Sequence, residues 1–210
     1  MVEILIAVDH TLLRENLVRL LSSNLPEVVC GEAENFSTVM GQLHKKNWNL
    51  LILDLNMPER NGLEIIKEVK TVRPEIPIIV LTMYPEDQFA LRVIKAGASA
   101  YLTKSVSSKT FLKAVEKVLR GGQFITGSVA KVITDELQHK SGNSKHALLS
   151  DRELQVMLLI ASGKGISDIA KELILSIKTI SIYRANILKK MNLKNNLEII
   201  HYALKQGLVE

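Results

Sequence analysis

The sequence predicts a doubly wound α/β domain with a five-stranded parallel sheet, followed by a small all-α domain of four helices. Over residues 1–120, short runs of branched apolar residues alternate strictly with segments of helical spacing, which is typical of a parallel sheet covered on both faces. Over residues 149–210 only helical spacing occurs. Residues 121–148 follow neither pattern, so we expect a linker with one short helix at residues 128–137 and an exposed polar run at residues 139–145.

Each predicted element of the first domain follows from the spacing of apolar residues. Helices are expected where leucine, valine and phenylalanine recur at helical spacing, as between Leu13 and Leu21 and between Phe111 and Leu119. Strands are expected where such residues are consecutive, at residues 2–8, 28–31, 50–54, 76–82 and 98–102. Because sites in doubly wound sheets form at the carboxyl ends of the strands, the residues that follow these runs are the first candidates for function.

Composition and charge narrow the class of protein. The single cysteine, Cys30, excludes an internal disulfide and fits a reducing compartment. The apolar runs are too short to cross a bilayer and no basic residue precedes the first of them, so we expect a cytoplasmic protein without a membrane partner. Of the net charge of +5, residues 149–210 carry +3, too small an excess to establish binding of nucleic acid by itself.

Polar residues stand at the ends of four predicted strands, namely Asp9, Asp54, Thr82 and Lys104. In the predicted fold these strand ends converge on one edge of the sheet. Two carboxylates held close together favour a hard cation such as Mg²⁺, which with a nearby ammonium stabilises a phosphoryl group on a carboxylate nucleophile. Any one of these residues alone fits a strand cap or a turn, and the prediction of a phosphoryl-transfer site depends on all of them together.

The first domain resembles the receiver domain of bacterial response regulators, which has a flavodoxin-like fold. The resemblance covers residues 1–120 and rests on the run Asp54-Leu55-Asn56-Met57-Pro58 with Gly62, on Leu81-Thr82 and on residues 97–104. It implies that Asp54 accepts a phosphoryl group from a histidine kinase. It further implies Mg²⁺ ligands at Asp9, Asp54 and the backbone carbonyl of Asn56, switch residues at Thr82 and Tyr101, and a phosphate-pairing lysine at Lys104.

Position 8 departs from the receiver pattern. Receivers carry two adjacent acids after the first strand, and here Asp9 matches the acid that touches the metal while Val8 replaces the acid that acts through water. We expect weaker Mg²⁺ binding and slower phosphoryl transfer, with the site retained. The alternative is an atypical regulator that binds DNA without being phosphorylated. The neighbouring His10 is expected to have a turn or capping role rather than an acid–base role.

Capping residues and apolar spacing predict a helix-turn-helix in the second domain. Ser150 and Glu153 form a capping box at the start of its first helix. A short helix at residues 166–173 and a tight turn follow, and Ser176 can cap a longer helix at residues 177–191. A short helix, a tight turn and a longer helix form the arrangement that places its second helix in the DNA major groove.

The longer helix has two opposed faces. Ile180, Ile187 and Met191 form an apolar stripe that suits the domain core. The opposite face is suited to a major groove, with lysines placed for phosphates and small or apolar residues placed for base edges and thymine methyls. Its residues are Lys178, Ser181, Ile182, Ala185 and Lys189. An exposed isoleucine such as Ile182 also occurs on surfaces without any function.

The second domain resembles the LuxR-type DNA-binding domain. The resemblance rests on Leu149-Ser150 with Arg152-Glu153, and on residues 161–163, 168–170, 176–181 and 188–193. It implies a recognition helix at residues 177–191, a last helix at residues 195–206 that dimerises on DNA, and further backbone contacts from Thr179, Tyr183 and Arg184. The sequence departs from this family at two places. Gly165-Ile166-Ser167 stands where the family usually has Ser-Asn-Lys, and Ser181 and Ala185 stand where several members have lysines.

The two resemblances together make the chain similar to the NarL/FixJ class of response regulators, with a receiver at 1–120, a linker at 121–148 and a DNA-binding domain at 149–210. That class implies a transcription regulator that binds double-stranded promoter DNA as a homodimer, with a histidine kinase as partner and RNA polymerase as a further candidate partner. A phosphohydrolase would need an acid where Asn56 stands, so we expect no enzyme. An adaptor that acts only on proteins is disfavoured by the two-faced recognition helix.

Overall fold

A computed structural model describes residues 1–138 and 145–209 of the 210-residue chain. Its residues form two compact units, Met1–Asp135 and Glu136–Glu210, and each is described by itself. The polar run predicted to be an exposed linker at residues 139–145 lies outside the described residues, apart from Lys145.

The first unit contains a five-stranded parallel sheet in the order β2-β1-β3-β4-β5. The strands are β1 Val2–Ala7, β2 Val28–Ala33, β3 Leu50–Leu53, β4 Ile78–Thr82 and β5 Ala100–Thr103. The helices are α1 Thr11–Asn24, α2 Phe36–Lys45, α3 Gly62–Val72, α4 Glu86–Lys95, α5 Ser108–Leu119 and α6 Gly127–Gln138, of which the residues after Asp135 belong to the second unit. The predicted doubly wound fold is confirmed. The strand order reverses direction between β1 and β3, which places a binding crevice at the carboxyl ends of these two strands.

Apolar residues cover both faces of the sheet. On one face, Ile4 of β1 and Ile52 of β3 belong to a cluster with Leu21 of α1 and Phe111 of α5, and all four are at most 2% exposed. The alternate residues of the strands point to the opposite face, and Leu51 among them is also fully buried. Burial on both faces is the reason that these strands are continuous apolar runs in the sequence.

Two strands begin later than the sequence pattern predicts. β4 was expected from residue 76 but begins at Ile78, and the preceding Pro77 has no N–H to donate to a sheet. β5 was expected from residue 98 but begins at Ala100, because the chain first turns at Gly97 with a φ of +104°. A positive φ is readily adopted by glycine, so this turn belongs to the loop rather than to the strand.

The second unit is all helical, as predicted. A 3-10 turn at Lys145–Leu148 precedes the helices α7 Asp151–Ala161, α8 Ile166–Glu172, α9 Ile177–Met191 and α10 Asn196–Lys205. Its core contains residues from all four helices that are fully buried, namely Val156, Ile169, Ile180, Ile187 and Ile199.

Side-chain hydrogen bonds fix the starts of two helices in the second unit. The predicted capping box of α7 is present, since the Ser150 hydroxyl accepts from the Glu153 N–H and the Glu153 carboxylate accepts from the Ser150 N–H. The Ser176 hydroxyl accepts from the N–H of Thr179 at 3.0 Å, so α9 also has its predicted cap. Between α8 and α9 the chain turns through Ile174 with a φ of +53°, a strained conformation for a β-branched residue.

Candidate functional site

Asp9 and Asp54 lie side by side in the crevice where the sheet reverses its strand order. Asp9 follows β1 and Asp54 follows β3, and the Asp54 N–H donates to the carbonyl of Ala7 at 2.9 Å, which extends the parallel pairing to the site. A ligand atom from each of Asp9, His10 and Asp54 lies within 4.8 Å of the others. Asp54 is only 1% exposed, whereas the Asp9 side chain is 26% exposed. We call Asp9, Asp54, Asn56 and Lys104 the acidic site.

Lys104 supplies the positive charge of the acidic site. Its Nζ lies 2.5 Å from Oδ2 of Asp54, and its backbone N–H donates to the carbonyl of Thr82 at 2.7 Å. Burial raises the pKa of the Asp54 carboxyl above its ordinary value, and the charge and hydrogen bond of Lys104 oppose that rise. The negative charge of Asp9 raises the pKa of Asp54 further. The pKa of Asp54 is raised overall, and Lys104 is the main group that limits the rise.

The loop after Asp54 is held close to the acidic site. The Asn56 N–H donates to Oδ1 of Asp54 at 3.0 Å, which leaves Oδ2 to Lys104. The start of α3 presses on this loop, since a side chain at Gly62 would place its Cβ 2.5 Å from the Cα of Leu55. Glycine is required there because of that close approach, which accounts for its presence in the sequence motif.

The two residues named as switch residues lie in a buried network beside the acidic site. Thr82 and Tyr101 are both fully buried. The Thr82 hydroxyl accepts from the N–H of Tyr84 at 3.4 Å, and the Tyr101 hydroxyl donates to the carbonyl of Tyr84 at 2.8 Å. The Tyr84 hydroxyl in turn donates to the side-chain oxygen of Asn56 at 3.2 Å. Tyr84 thus connects both residues to the acidic site, and no sequence pattern had pointed to it.

Val8 does not face the acidic site. Its side chain is fully buried in the apolar cluster beneath the sheet, so it offers neither a charge nor a water-binding atom. Arg14 of α1 lies on that side instead, where its Nη1 donates to the carbonyl of Val8 at 2.7 Å and its Nε donates to Glu32 at 2.7 Å. Arg14 is 8% exposed, and no sequence pattern had pointed to this role, because an arginine in a helix is ordinarily a solvated residue.

His10 occupies the N-cap position of α1, in agreement with the turn or capping role expected for it, and its carbonyl accepts from the Arg14 N–H at 3.0 Å. Within the described residues its side chain makes no capping hydrogen bond. The imidazole turns instead to the acidic site, where Nδ1 lies 2.6 Å from Oδ1 of Asp9, because a carboxylate is a stronger hydrogen-bond partner than the helix amides.

The face of α9 opposite its apolar stripe is exposed to solvent, as the two-faced sequence pattern of this helix predicts. Ile180, Ile187 and Met191 are fully buried, and Ile182 on the other side is 53% exposed. We call the exposed set the reading face: Lys178, Ser181, Ile182, Ala185 and Lys189.

The remaining three residues that were assigned to DNA are half-buried. Arg184 donates from Nε to the side-chain oxygen of Asn196 at 2.6 Å, which holds its guanidinium against α10. The Thr179 hydroxyl lies 2.8 Å from that of Ser176 and so belongs to the cap of α9, and Tyr183 is half-buried on the same helix. The short helix α8 has Gly165 as its N-cap residue, which has no side chain to offer to a phosphate.

An ion pair between the buried Glu153 of α7 and Lys190 of α9, whose side chain is 42% exposed, joins the two helices. Glu153 is 3% exposed, and one of its oxygens accepts from Nζ of Lys190 at 2.6 Å. Burial alone would raise the pKa of Glu153, but the hydrogen bonds from Lys190 and Ser150 outweigh it and hold the pKa below its ordinary value. The Glu153 carboxylate therefore caps α7 and also holds α9, the helix that carries the reading face, against α7.

Two protein families match the chain. The response regulator receiver domain matches residues 4–116, and the bacterial regulatory proteins of the luxR family match residues 147–203. The response regulator UvrY of Escherichia coli (strain K12) is 30% identical over 99% of this chain and 96% of UvrY. The response regulator GacA of Pseudomonas aeruginosa is 28% identical over 100% of this chain and 99% of GacA.

Solved structures are similar over nearly the whole chain as well. The RcsB response regulator of Salmonella typhimurium has a TM-score of 0.62 and 28% identity, and the match covers 96% of this chain and 98% of RcsB. A complex of RcsB with DNA matches with a TM-score of 0.60 and 27% identity, over 96% of each chain.

A receiver sheet with an acidic crevice, followed by a helix-turn-helix, defines the response regulators, and the chain belongs to that family. Its LuxR-type second domain makes it a member of the NarL/FixJ class, and it is a DNA-binding transcriptional regulator of a two-component system. Among residues 1–138 and 145–209, no helix is both long enough and apolar enough to cross a membrane.

Proposed function

We propose that a histidine kinase phosphorylates this regulator on Asp54 and that phosphorylation controls promoter binding by a homodimer. The observation that carries the proposal is the position of Asp54, which is buried at the end of β3 with Lys104 at 2.5 Å and the carboxylate of Asp9 in the same cluster. A buried carboxylate with a fixed ammonium and a second acid beside it is the arrangement required to accept and hold a phosphoryl group.

In the proposed reaction a carboxylate oxygen of Asp54 attacks the phosphorus of a phosphohistidine. An oxygen–phosphorus bond forms, the phosphorus–nitrogen bond breaks, and the departing imidazole takes up a proton from water. Lys104 contacts Oδ2 and so lies next to the incoming phosphoryl oxygens, whose negative charge it stabilises. Asn56 donates its N–H to Oδ1 and holds the carboxylate in one orientation during the attack.

The acidic site has the donor set for Mg²⁺. Asp9 and Asp54 offer carboxylate oxygens within one cluster, and the backbone carbonyl of Asn56 lies two residues after Asp54, so the ligands proposed are the hard oxygens that this ion prefers. When bound, Mg²⁺ supplies positive charge that neutralises the oxygens of the group being transferred. Since Val8 contributes nothing, we propose a weaker magnesium site than one with two adjacent acids.

The proposed switch consists of Thr82, Tyr101 and Lys104. A phosphoryl group on Asp54 would offer new acceptors to the Thr82 hydroxyl, which accepts a long bond from the Tyr84 N–H at 3.4 Å. Because Tyr101 also bonds to Tyr84, a movement of Thr82 would reach Tyr101 through that residue. The part of the switch that is proposed to move is therefore the loop between β4 and α4, which the buried side chains of Thr82 and Tyr101 hold.

The reading face is proposed to enter the major groove. Lys178 and Lys189 stand near opposite ends of α9 and are assigned to phosphates, while Ser181, Ile182 and Ala185 between them are assigned to base edges. Backbone contacts are proposed for Thr179, Tyr183 and Arg184. The support comes from RcsB, which forms a complex with DNA and of which two dimers have been seen on two DNAs.

The proposed partners are double-stranded DNA, a cognate histidine kinase, a second copy of the chain that meets it through the last helix, and RNA polymerase. We propose a cytoplasmic location, a receiver at 1–120, a linker at 121–148 and a DNA-binding domain at 149–210. We also propose that the chain is no enzyme. Asn56 stands where a hydrolase with an aspartyl-phosphate needs an acid, and it donates its backbone N–H to Asp54.

Mass spectrometry after incubation with acetyl phosphate and Mg²⁺ tests the phosphorylation step. The wild type should gain the mass of one phosphoryl group, Asp54→Asn should gain none, and Asp168→Asn on the exposed surface of α8 should behave as the wild type. A wild type that binds DNA but gains no mass, with acetyl phosphate or with any kinase, would favour the phosphorylation-independent regulator instead.

A further inference from the structure

The His10 side chain lies where a ligand of the acidic site would lie. Its Nδ1 is 2.6 Å from Oδ1 of Asp9, and a ligand atom of Asp54 completes a group within 4.8 Å. The imidazole is 71% exposed, so solvent and ions reach it without any movement of the fold. This group contains two carboxylates and one imidazole, a different donor set from the three oxygens assigned to Mg²⁺ above.

A purely structural role for this imidazole does not account for its position. An N-cap residue is ordinarily Ser, Thr, Asp or Asn, whose side chain accepts from a helix amide. At the start of α1, the His10 side chain makes no such bond within the described residues, and its carbonyl accepts only the ordinary helix bond from the Arg14 N–H among the bonds described. The side chain is held by Asp9, and therefore belongs to the site rather than to the helix.

The residues around Asp9 also alter the charge of the site. On one side Val8 is buried in the core, and the guanidinium of Arg14 bonds to its carbonyl at 2.7 Å and lies 3.4 Å from the carbonyl of Asp9. On the other side stands His10. Relative to a site with two adjacent acids, one carboxylate is missing and one nitrogen donor is added. Fewer charged oxygens weaken binding of Mg²⁺, whereas an imidazole favours borderline ions such as Zn²⁺.

We propose that His10 is a ligand of the divalent cation at the acidic site, together with Asp9 and Asp54, and that the site therefore binds zinc-class ions in competition with Mg²⁺. The inference rests on the proposed function only in that it uses the same two carboxylates. Zinc bonds to nitrogen and oxygen are about 2 Å long, so two donors on one ion lie about 3 to 4 Å apart. The ligand atoms of Asp9, His10 and Asp54 lie within 4.8 Å of one another, and the two residues that would rotate towards the buried Asp54 are Asp9 and His10, whose side chains are 26% and 71% exposed.

The two ions would share the carboxylates of Asp9 and Asp54. A zinc-class ion held by these carboxylates and His10 would therefore take the place of the Mg²⁺ that the proposed phosphorylation uses. Binding of the two ions is therefore expected to be mutually exclusive.

Nuclear magnetic resonance of the full chain with ¹⁵N-labelled histidine rings tests the coordination itself. On addition of Zn²⁺, the ring nitrogens of His10 should shift as the ion fills the site, and added Mg²⁺ should reverse the shift. In calorimetric titrations, His10→Asn should weaken Zn²⁺ binding by at least about tenfold, with a much smaller effect on Mg²⁺. Asparagine is a preferred N-cap residue, so this variant keeps or improves the start of α1.

The matched control is His44→Asn, which removes an exposed histidine from α2. It should bind both ions as the wild type does. If the His10 ring nitrogens stay unshifted at saturating Zn²⁺, or if His10→Asn binds Zn²⁺ as tightly as the wild type, the inference is overturned.

Asp9→Asn separates the failure of this inference from failure of the proposed function. If Asp9→Asn abolishes Mg²⁺ binding while His10→Asn leaves Zn²⁺ binding unchanged, only the role of His10 is wrong. If Asp9→Asn leaves the binding of both ions unchanged, the acidic site is no metal site, and both the inference and the magnesium role proposed above fail.

Discussion

Asp54 is 1% exposed and is bound at one oxygen by Lys104 and at the other by the Asn56 N–H, whereas Ile182 on the reading face is 53% exposed. Asp54 is surrounded by hydrogen-bond partners within its own unit, whereas Ile182 is open to solvent. A site of the first kind sets its chemistry through a few fixed side chains in a water-poor crevice. A surface of the second kind obtains most of its interactions from the partner.

This contrast predicts how single substitutions behave. In the acidic site each neighbour acts on one charge at close range, so a change should alter a rate by a large factor. On the reading face each side chain should contribute one contact among many, so a change should alter affinity or base preference moderately. The buried frame of the second unit should affect stability more than binding.

The largest effect is expected for Lys104→Met, which removes the ammonium and keeps the length of the side chain. Loss of one fixed stabilising group should slow phosphorylation by acetyl phosphate about a hundredfold. Removal of the charge also raises the pKa of Asp54 further, since that charge opposes the effect of burial. The rate of mass gain measures the change, and Lys109→Met on the exposed side of α5 is the control. An unchanged rate in Lys104→Met would show that the lysine is only structural.

Two substitutions on the reading face should differ in kind. Lys178→Ala should weaken binding to all DNA sequences alike and reduce the slope of log affinity against log salt by about 1. Ile182→Ala should instead change the preference at one base position, by about 1 kcal/mol. Fluorescence anisotropy on a panel of duplexes at several salt concentrations measures both, with Lys113→Ala of α5 as the control. Equal loss on every duplex for Ile182→Ala would remove it from base reading.

The smallest effect is expected for Glu153→Gln, and it should depend on pH. The folded pKa of Glu153 lies below that of the unfolded chain, which is about 4.3. Its contribution to stability is complete above that value and is lost as the pH falls through the folded pKa. The amides of α7 should therefore exchange faster in Glu153→Gln than in the wild type at neutral pH, and the difference should shrink on acidification. A difference that grows towards low pH would contradict the assigned ion pair.

The sequence predicted the fold class and the elements because the patterns involved are local. A short continuous apolar run such as that of β3, in alternation with helical segments, favours a strand buried on both faces, and the Ser150–Glu153 box marks a helix start in four residues. The meeting of Asp9 and Asp54 also followed from topology, since parallel strands on either side of a reversal end in the same crevice.

The directions of individual side chains could not be predicted in this way. Arg14 and His10 stand at the start of one helix, where a pattern suggests a solvated face and a cap, yet both turn towards the end of β1. Tyr84 lies in a loop without periodicity, and its bonds to Thr82, Tyr101 and Asn56 depend on three separate elements. Such contacts depend on tertiary packing, which cannot be predicted from the spacing of residues within one segment.

The central claim is that a phosphoryl group on Asp54 controls DNA binding. The most direct measurement compares the affinity of wild type and Asp54→Asn for a duplex selected from a promoter library, before and after treatment with acetyl phosphate and Mg²⁺. The wild type should bind more tightly after treatment and form dimers, and Asp54→Asn should not change. Equal affinity of the wild type before and after a confirmed gain of one phosphoryl group would contradict the claim.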